Sequence, residues 1–198
     1  MLPIFRGCPW ADMPGRLGAR GLLILDRDGV INRDSDDFVK SPAEWLPLPG
    51  SIEAIAKLSR AGFTVAVASN QSGLARGLFD RAALRAMHRK LRRLVEAEGG
   101  KVARIAVCPH GPNDGCACRK PMPGLLLRLA RHFNTSLEGV PVVGDSLRDL
   151  RAAARAGAEP VLVRTGNGEK TLRNLPKELE RVPVYKDLAA FAADMGRW

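Results

Sequence analysis

The sequence predicts an α/β protein in which a mainly parallel β-sheet is covered by helices on both faces. Short, continuous apolar segments alternate with longer segments whose apolar residues recur at helical spacing. Glycines and prolines separate these segments. Polar and acidic side chains directly follow most of the apolar segments, which is typical of a parallel sheet whose ligand-binding groups follow the carboxyl ends of its strands.

Five segments have the composition of buried strands, and each is dominated by small or branched apolar residues. They are, in chain order, residues 21–25, 63–68, 103–107, 140–143 and 160–163. Helical segments separate consecutive strands, so the connections are those of βαβ units. Such connections are nearly always right-handed and place the strands parallel in one Rossmann-like sheet.

Five amphipathic segments are predicted to be helices: residues 49–61, 80–97, 124–133, 147–156 and 188–195. In the first of them Ser51 is a suitable N-cap, and Gly62 ends the helix. In the second, Asp80 is the expected N-cap and Gly99 follows the end. The alternation of these helices with the strands places helices on both faces of the sheet.

The chain has 198 residues, which suits one domain with a substantial core. We expect residues 1–20 to be a loosely ordered leader, because they are rich in Gly and Pro, and residues 21–198 to form a single domain. The leader lacks the apolar stretch of a signal peptide, and no segment has the ~20 apolar residues that cross a bilayer. We therefore expect a cytoplasmic protein with no membrane partner.

The formal net charge is +10 and the pI is near 10.1, which raises the question of nucleic-acid binding. Aromatic residues make up only 5% of the chain and Tyr185 is its single tyrosine, so the sequence offers no evident platform for stacked bases. A basic, solvated surface is the simpler explanation. We expect no nucleic-acid partner, although the charge would also attract a small, doubly phosphorylated molecule.

Acidic residues follow two of the predicted strands. Asp26 and Asp28 come directly after the first strand, and Asp145 follows the fourth. Side chains at positions i and i+2 of an extended segment point to the same side, so Asp26 and Asp28 can face one pocket. A DxDG sequence can also be a simple turn with an Asx cap. Three carboxylates at one edge of a sheet instead predict a hard divalent cation, and Mg²⁺ beside a substrate phosphate fits best.

The same edge carries residues suited to phosphoryl transfer. A carboxylate whose charge is neutralised by a cation can attack phosphorus, and we assign this role to Asp26. Asp28 could protonate the leaving alkoxide and then deprotonate the attacking water. Lys120 would supply a fixed positive charge, while Ser69 and the amide of Asn70 would donate hydrogen bonds to the phosphoryl oxygens.

The third predicted strand is followed by a cluster of possible zinc ligands: Cys108, His110, Cys116 and Cys118. Three thiols and an imidazole form a complete Cys₃His ligand set, so we predict a structural Zn²⁺ rather than a catalytic one. Disulfides are disfavoured in a cytoplasmic protein, and the C-x-x-C pattern of a redox site is missing. A rigid loop here would position Arg119 and Lys120. His88 and His132 have no such neighbours and are expected to contribute to surfaces or packing.

Four segments in this order resemble the motifs of the haloacid dehalogenase superfamily. They are LDRDGVIN (residues 25–32), Ser69-Asn70-Gln71, Lys120-Pro121 and GDSLRD (residues 144–149). The resemblance covers residues 21–166 and makes Ser69, Asn70 and Gln71 the phosphate-binding segment. It implies a nucleophilic Asp26, an acid/base Asp28 and Mg²⁺ held by Asp26, Asp145 and the Asp28 carbonyl, with Asp149 supporting the site. The spacing of the motifs leaves no room for the large cap domain of many members.

The chain resembles one family of that superfamily in particular, the D-glycero-D-manno-heptose 1,7-bisphosphate 7-phosphatases. The segments that carry this resemblance are residues 38–51, SNQSGLARGLF, CPHGP with CACRKPMPG, and GDSLRDL. It implies a phosphomonoesterase that removes the C7 phosphate through an aspartyl-phosphate, in the synthesis of nucleotide-activated heptose for lipopolysaccharide. Arg119 would bind the remaining C1 phosphate, since a guanidinium matches phosphate bidentately. Asp34 and Arg76 are further candidates for substrate contacts.

Two alternatives stay open from the sequence. Histidinol-phosphate phosphatases share the DRDG start and the cysteine loop, although SGLARGLF favours the heptose family. A polynucleotide 3′-phosphatase would instead exploit the positive charge, and a steep salt dependence of oligonucleotide binding would reveal it. We expect a small phosphorylated sugar as the partner and a monomeric enzyme.

Overall fold

The structure is a computed structural model that describes residues 21–195; the predicted leader, residues 1–20, lies outside this range. The strands are β1 (Leu22–Leu25), β2 (Thr64–Asn70), β3 (Arg104–Cys108), β4 (Pro141–Gly144), β5 (Glu159–Val163) and β6 (Val184–Tyr185). The α-helices are α1 (Ser51–Arg60), α2 (Arg81–Ala97), α3 (Gly124–Phe133), α4 (Leu147–Arg155), α5 (Gly168–Arg173) and α6 (Leu188–Met195). Among residues 21–195, no helix combines the length and the apolar character needed to cross a membrane.

All neighbouring strands run parallel, in the order β3-β2-β1-β4-β5-β6. The chain adds β2 and β3 on one side of β1 and then β4, β5 and β6 on the other. The strand order therefore reverses between β1 and β4, which is the position where ligands bind in sheets of this kind. The predicted α/β fold class with a parallel sheet is confirmed.

The first strand is buried on both faces of the sheet. Leu23 and Leu25 pack on the side of α1, α2 and α6, while Leu22 and Ile24 pack on the side of α3 and α4. None of the four is more than 4% exposed, and burial of each such side chain contributes roughly 1.5–3 kcal/mol. The continuous apolar segment is therefore explained by burial on two faces, and it fixes the loop that follows β1.

The starts of two helices test the predicted N-caps. Asp80 caps α2, because its carboxylate accepts the Ala83 N–H at 2.7 Å. The prediction that Ser51 caps α1 is wrong. Gly50 takes the N-cap position with a φ of 74°, and Ser51 is the first helical residue. The Ser51 hydroxyl instead donates to the Ile31 carbonyl at 2.7 Å, so it ties the helix to the segment after β1.

The flap, residues 32–48, connects the loop after β1 to α1 without a helix or strand of its own. Trp45 of the flap is fully buried. Lys90 of α2 donates to the carbonyls of Pro42 and Trp45, at 2.8 and 2.7 Å, and so anchors the flap to the body of the protein. No inserted cap domain interrupts residues 21–195, as predicted. The edge of the sheet beside the flap is therefore accessible from outside.

Candidate active site

A cavity of about 220 Å³ opens at the carboxyl edge of the sheet, beside the ends of β1 and β4. The predicted site residues that line it are Asp26, Asp28, Asp34, Asn70, Gln71, Arg119, Lys120, Asp145 and Asp149. Ser69 is buried next to them, and its hydroxyl oxygen accepts a hydrogen bond from Gln71 Nε2 at 2.8 Å. The structure therefore brings residues from distant parts of the chain to one place.

Asp26 is the first residue after β1, and its N–H still donates to the Val143 carbonyl of β4 at 2.8 Å. Lys120 fixes the carboxylate, since its Nζ lies 2.8 Å from Asp26 Oδ1. Burial and the charge of Asp149 raise the pKa of Asp26 well above its ordinary value, in spite of Lys120. Without more positive charge this group favours its protonated form. A cation next to it would restore the carboxylate, which is the form that can attack phosphorus.

Lys120 is only 3% exposed, and its ammonium group contacts three acceptors. Nζ lies 2.8 Å from Asp26, 2.5 Å from Asp149 and 2.8 Å from the Ala68 carbonyl. Burial alone would lower the pKa of Lys120, but the charges of Asp149 and Asp26 outweigh it and raise the pKa. Asn70 and Lys120 also exchange two hydrogen bonds, side chain to backbone, of 3.1 Å each. The lysine is therefore a permanent positive charge in a fixed position.

Three carboxylates form the acidic side of the cavity. Oxygen atoms of Asp26, Asp145 and Asp149 all lie within 4.8 Å of one another. Burial and the charge of Asp149 raise the pKa of Asp145 to about 7. Asp149 is already occupied by Lys120 and by the N–H of Ser146. Asp26 and Asp145 are thus the two carboxylates able to share a hard cation, and a set of oxygen donors suits Mg²⁺.

Asp145 is held in place by its neighbours. The N–H and Nδ2 of Asn167 donate to Asp145 Oδ2 at 2.7 and 3.3 Å, and Nδ2 also reaches the Asp34 carboxylate at 3.1 Å. Gly29 has a φ of 82°, and a Cβ at this position would lie 2.0 Å from Asp145 Oδ2. Only glycine combines this backbone conformation with such a close approach. The glycine of the DRDG segment is therefore required by the position of Asp145.

The carboxylate of Asp28 accepts hydrogen bonds from three side chains. The donors are Arg27 Nη2 at 2.7 Å, Asn32 Nδ2 at 2.9 Å and Gln71 Nε2 at 2.8 Å. Burial would raise the pKa of Asp28, but the charge of Arg27 outweighs it and the pKa is lowered. Arg27 is itself 1% exposed, and its Nη1 has no hydrogen-bond partner in the part of the chain that the structure describes. This arrangement holds Asp28 as a carboxylate.

Two further arginines, besides Arg27, also line the cavity. Arg119 lines it and donates to the His110 carbonyl at 3.2 Å, and Arg148, in the first turn of α4, lines it as well. Arg76 is placed differently, because its guanidinium lies over the Phe38 ring, 5.4 Å from the ring centroid. This position suits a residue that holds the flap in place. It is less suited to the substrate contact that we predicted for Arg76.

The cysteine loop brings its four possible ligands together: Cys108, His110, Cys116 and Cys118. The sulfur atoms are 3.2 to 3.6 Å apart, and His110 Nδ1 lies 3.3 Å from Cys118 Sγ. These distances exceed a disulfide bond of about 2.0 Å. They approach the edge of about 3.8 Å expected for a tetrahedron with Zn–S bonds of about 2.3 Å. Burial raises the pKa of Cys108 to about 12, so a thiolate there needs a cation. The donor set fits Zn²⁺.

Comparison with known proteins places this geometry in a family. A family model described as HAD-hydrolase-like matches residues 117–191. The D-glycero-β-D-manno-heptose-1,7-bisphosphate 7-phosphatase of Bordetella bronchiseptica is 60% identical over 176 residues, covering 88% of this chain and 97% of the relative. The chain belongs to this family of 7-phosphatases. The Pseudomonas aeruginosa protein of the same name is 57% identical, with coverage of 88% and 97%.

Solved structures agree with this assignment. The D,D-heptose 1,7-bisphosphate phosphatase of B. bronchiseptica, complexed with magnesium and phosphate, superimposes with a TM-score of 0.86 at 58% identity, over 90% of this chain and 99% of that one. The phosphatase of Burkholderia thailandensis has a TM-score of 0.69 at 44% identity, over 89% and 98%. These two phosphatases therefore share the fold of this chain over 89–90% of its length.

The cavity residues that were not predicted include Arg27, Arg148 and Asn167. Arg27 lies between two site aspartates in the sequence. Side chains alternate along an extended segment, so Arg27 was expected to point away from the pocket that Asp26 and Asp28 face. Asn167 lies in the loop after β5, and the rule that ligand-binding groups follow strand ends would have found it. Arg148 lies within the GDSLRD segment, in which only the acidic residues Asp145 and Asp149 were predicted to belong to the site.

The two histidines outside the cysteine loop do not line the cavity. His88 lies in α2, and burial together with the charge of Arg27 lowers its pKa to about 4. The ring of His132 packs edge-on against Phe133, with ring centroids 4.8 Å apart. Both positions agree with the predicted role in packing.

Proposed function

We propose that this chain is a Mg²⁺-dependent phosphatase that removes the C7 phosphate of D-glycero-β-D-manno-heptose 1,7-bisphosphate. The proposal depends on one observation: a single cavity is lined by the reacting group Asp26 with Lys120 and Asp145, and also by the guanidinium of Arg119. A doubly phosphorylated sugar fits such a cavity, with one phosphate at the reacting carboxylate and the other at the guanidinium. The β anomer is favoured because relatives named for it are 50–60% identical, whereas those named for the α anomer are 40% identical.

In the proposed first step, a carboxylate oxygen of Asp26 attacks the phosphorus of the C7 phosphate. The bond between phosphorus and the C7 oxygen breaks, and Asp28 transfers its proton to that oxygen, so that the sugar leaves as an alcohol. Lys120, 2.8 Å from Asp26, stabilises the negative charge during the transfer. The phosphoryl group is then carried by Asp26 as an aspartyl-phosphate.

In the second step, Asp28 takes a proton from water, and the water oxygen attacks the phosphorus. The bond from phosphorus to Asp26 breaks, which releases inorganic phosphate and regenerates the carboxylate. In the substrate-free site Arg27 lowers the pKa of Asp28, which suits the base of this step. An incoming phosphate dianion raises the same pKa, because like charges disfavour ionisation, and this suits the acid of the first step.

Asp26, Asp145 and the carbonyl of Asp28 would hold the Mg²⁺. When bound, the ion supplies positive charge to the phosphoryl oxygens. Ser69 is free to donate its hydroxyl proton to the phosphate, since its oxygen accepts from Gln71. The side chain of Asn70 is occupied by Lys120, so its contribution to phosphate binding is its backbone N–H.

We also propose that the cysteine loop binds one structural Zn²⁺ through Cys108, His110, Cys116 and Cys118. The His110 carbonyl accepts from Arg119 at 3.2 Å, so a rigid loop would orient this arginine toward the cavity. Elemental analysis of the purified protein should find one zinc per chain that persists when Mg²⁺ is removed. A protein that is fully folded without zinc would contradict the proposal.

A monomer in the cytoplasm is the simplest setting for this activity. Every residue proposed for the site comes from one chain, and a doubly phosphorylated sugar is too highly charged to cross a membrane unaided. Light scattering coupled to size-exclusion chromatography should give the mass of one chain, and cell fractionation should find the protein with soluble enzymes. A stable dimer would refute the monomeric state, and recovery of the protein with membranes would refute the cytoplasmic location.

The test of the activity is phosphate release with Mg²⁺ from a panel of substrates. The panel contains both anomers of the heptose bisphosphate, histidinol phosphate, fructose 1,6-bisphosphate and a 3′-phosphorylated oligonucleotide. We expect the β anomer to react fastest, and ³¹P NMR should show that the C1 phosphate remains. Preference for another substrate would retain the chemistry and refute the specificity. Asp26→Asn should be inactive with an unchanged circular dichroism spectrum, and activity in this variant would refute the nucleophile assignment.

A further inference from the structure

Two guanidinium groups face the same cavity from different elements. Arg119 follows the zinc ligand Cys118, and Arg148 is the second residue of α4. Both line the cavity that contains Asp26. The two arginines therefore share the cavity of the reacting carboxylate, although one comes from the segment before α3 and the other from the segment after β4.

The positive charges of this pair are not neutralised within residues 21–195. Neither Arg119 nor Arg148 forms an ion pair with a carboxylate there, and Arg119 donates to a backbone carbonyl, that of His110. Both guanidinium groups line one cavity, where their like charges repel each other. The charge of Arg148 makes only a small contribution to lowering the pKa of Asp34 and of Asp149. Two guanidiniums that line one cavity without an ion-pair partner among the described residues favour binding of a dianion.

The third arginine of this region does not belong to the pair. The guanidinium of Arg76 lies over the Phe38 ring, 5.4 Å from the ring centroid, and Arg76 does not line the cavity. A single guanidinium can make two hydrogen bonds to one face of a phosphate. Two guanidiniums from different directions can bind a phosphate at more of its oxygens and so fix its position as well as its charge.

We infer that Arg148 determines specificity: together with Arg119 it binds the phosphate that the reaction leaves on the sugar. This inference rests on the proposed function, since it concerns the second phosphate of the same substrate. It assigns Arg148 to substrate binding and leaves bond breaking to Asp26 and Asp28. A substrate with one phosphate therefore gains nothing from Arg148, whereas a bisphosphate is bound and oriented by it.

The test compares two substrates, heptose 1,7-bisphosphate and heptose 7-phosphate, which lacks the C1 phosphate. Arg148→Ala should lower kcat/KM for the bisphosphate by about 10- to 100-fold, mainly through KM, because one charged hydrogen-bond pair is lost. The same variant should change kcat/KM for the 7-phosphate less than about twofold. Arg148→Lys should recover part of the loss, since lysine retains the charge without the bidentate geometry.

Arg151→Ala is the matched control, because Arg151 is an exposed arginine of the same helix that pairs with Glu178 at 3.7 Å and does not line the cavity. It should leave both substrates unaffected. The double variant Arg119→Ala/Arg148→Ala should lose less than the product of the two single effects on the bisphosphate, because both side chains bind one group. Equal losses on both substrates, or an effect of Arg148→Ala no larger than that of Arg151→Ala, would overturn the inference.

A failure of the proposed function has a different signature. If the native chain hydrolyses both substrates with equal kcat/KM, the second phosphate does not contribute to binding. The inference is then wrong, while the phosphatase activity stands. If it hydrolyses neither, the proposed function is wrong. Calorimetric titration with mannose 1-phosphate in Mg²⁺-free buffer, where the cation that would hold a phosphate at Asp26 is missing, then decides the inference directly. Weaker binding by Arg148→Ala than by Arg151→Ala supports it, and equal binding refutes it.

Discussion

Replacement of Lys120 by methionine separates the structural and chemical roles of the most highly connected residue in the site. Methionine retains an unbranched apolar stem and removes the ammonium group, which contacts Asp26, Asp149 and the Ala68 carbonyl. Asp149 is 1% exposed. Breaking a buried ion pair by removing one partner destabilises a protein by about 3–5 kcal/mol, because the other charge is left buried and uncompensated.

We therefore expect Lys120→Met to lower the free energy of unfolding by about 3–5 kcal/mol in Mg²⁺-free buffer, measured by urea denaturation. The double variant Lys120→Met/Asp149→Asn removes the stranded charge and should recover a part of that loss, about 2 kcal/mol. Both variants should lose about 100- to 1,000-fold in kcat, since the positive charge at the phosphoryl group is absent in each. A double variant no more stable than the single one would refute the role in charge compensation, and high activity in either would refute the role in catalysis.

Three further outcomes follow from the geometry. His88 has a pKa near 4 in place of 6.5, so it contributes stability above pH 6.5 that is lost as the pH falls toward 4. His88→Gln should therefore remove about 2 kcal/mol of the difference in unfolding free energy between pH 7.5 and pH 5. An unchanged pH dependence of stability would refute this. Gly29→Ala should raise the Mg²⁺ concentration for half-maximal activity by about tenfold, because the added Cβ would meet Asp145. The control Gly77→Ala, at a glycine with a similar φ and open space around it, should cost only about 1–2 kcal/mol of stability. Cys116→Ser should reduce zinc content and lower kcat/KM by displacing Arg119; full zinc content would exclude Cys116 as a ligand.

The sequence predicts the architecture well where burial dictates composition. The strands β1 to β5 are found within about two residues of their predicted ends, because each is buried in the sheet and has few alternatives to an apolar composition. Strand β6 was not predicted, since its two residues are too few to form a pattern. Ser51 has the composition of an N-cap, but its hydroxyl contacts a carbonyl twenty residues away in the chain, which no local rule anticipates.

The candidate site could likewise be predicted from the sequence only in part. Placement of Asp26, Asn70 and Asp145 at one sheet edge could be predicted, because the carboxyl ends of parallel strands share that edge. The contacts between these residues could not. Asn70 exchanges hydrogen bonds with Lys120 across fifty positions of the chain. Arg27 turns back onto Asp28, its neighbour in sequence, against the alternation expected of an extended segment.

The most direct test of the central claim is to trap the phosphoryl group on Asp26. The Mg²⁺-loaded enzyme is mixed with heptose 1,7-bisphosphate, quenched with acid within one turnover, digested and examined by mass spectrometry. We predict a peptide containing Asp26 that carries one additional phosphoryl group, which is absent from Asp26→Asn and disappears when the reaction runs to completion before the quench. Rapid phosphate release with no modified Asp26 peptide at any quench time would contradict the claim.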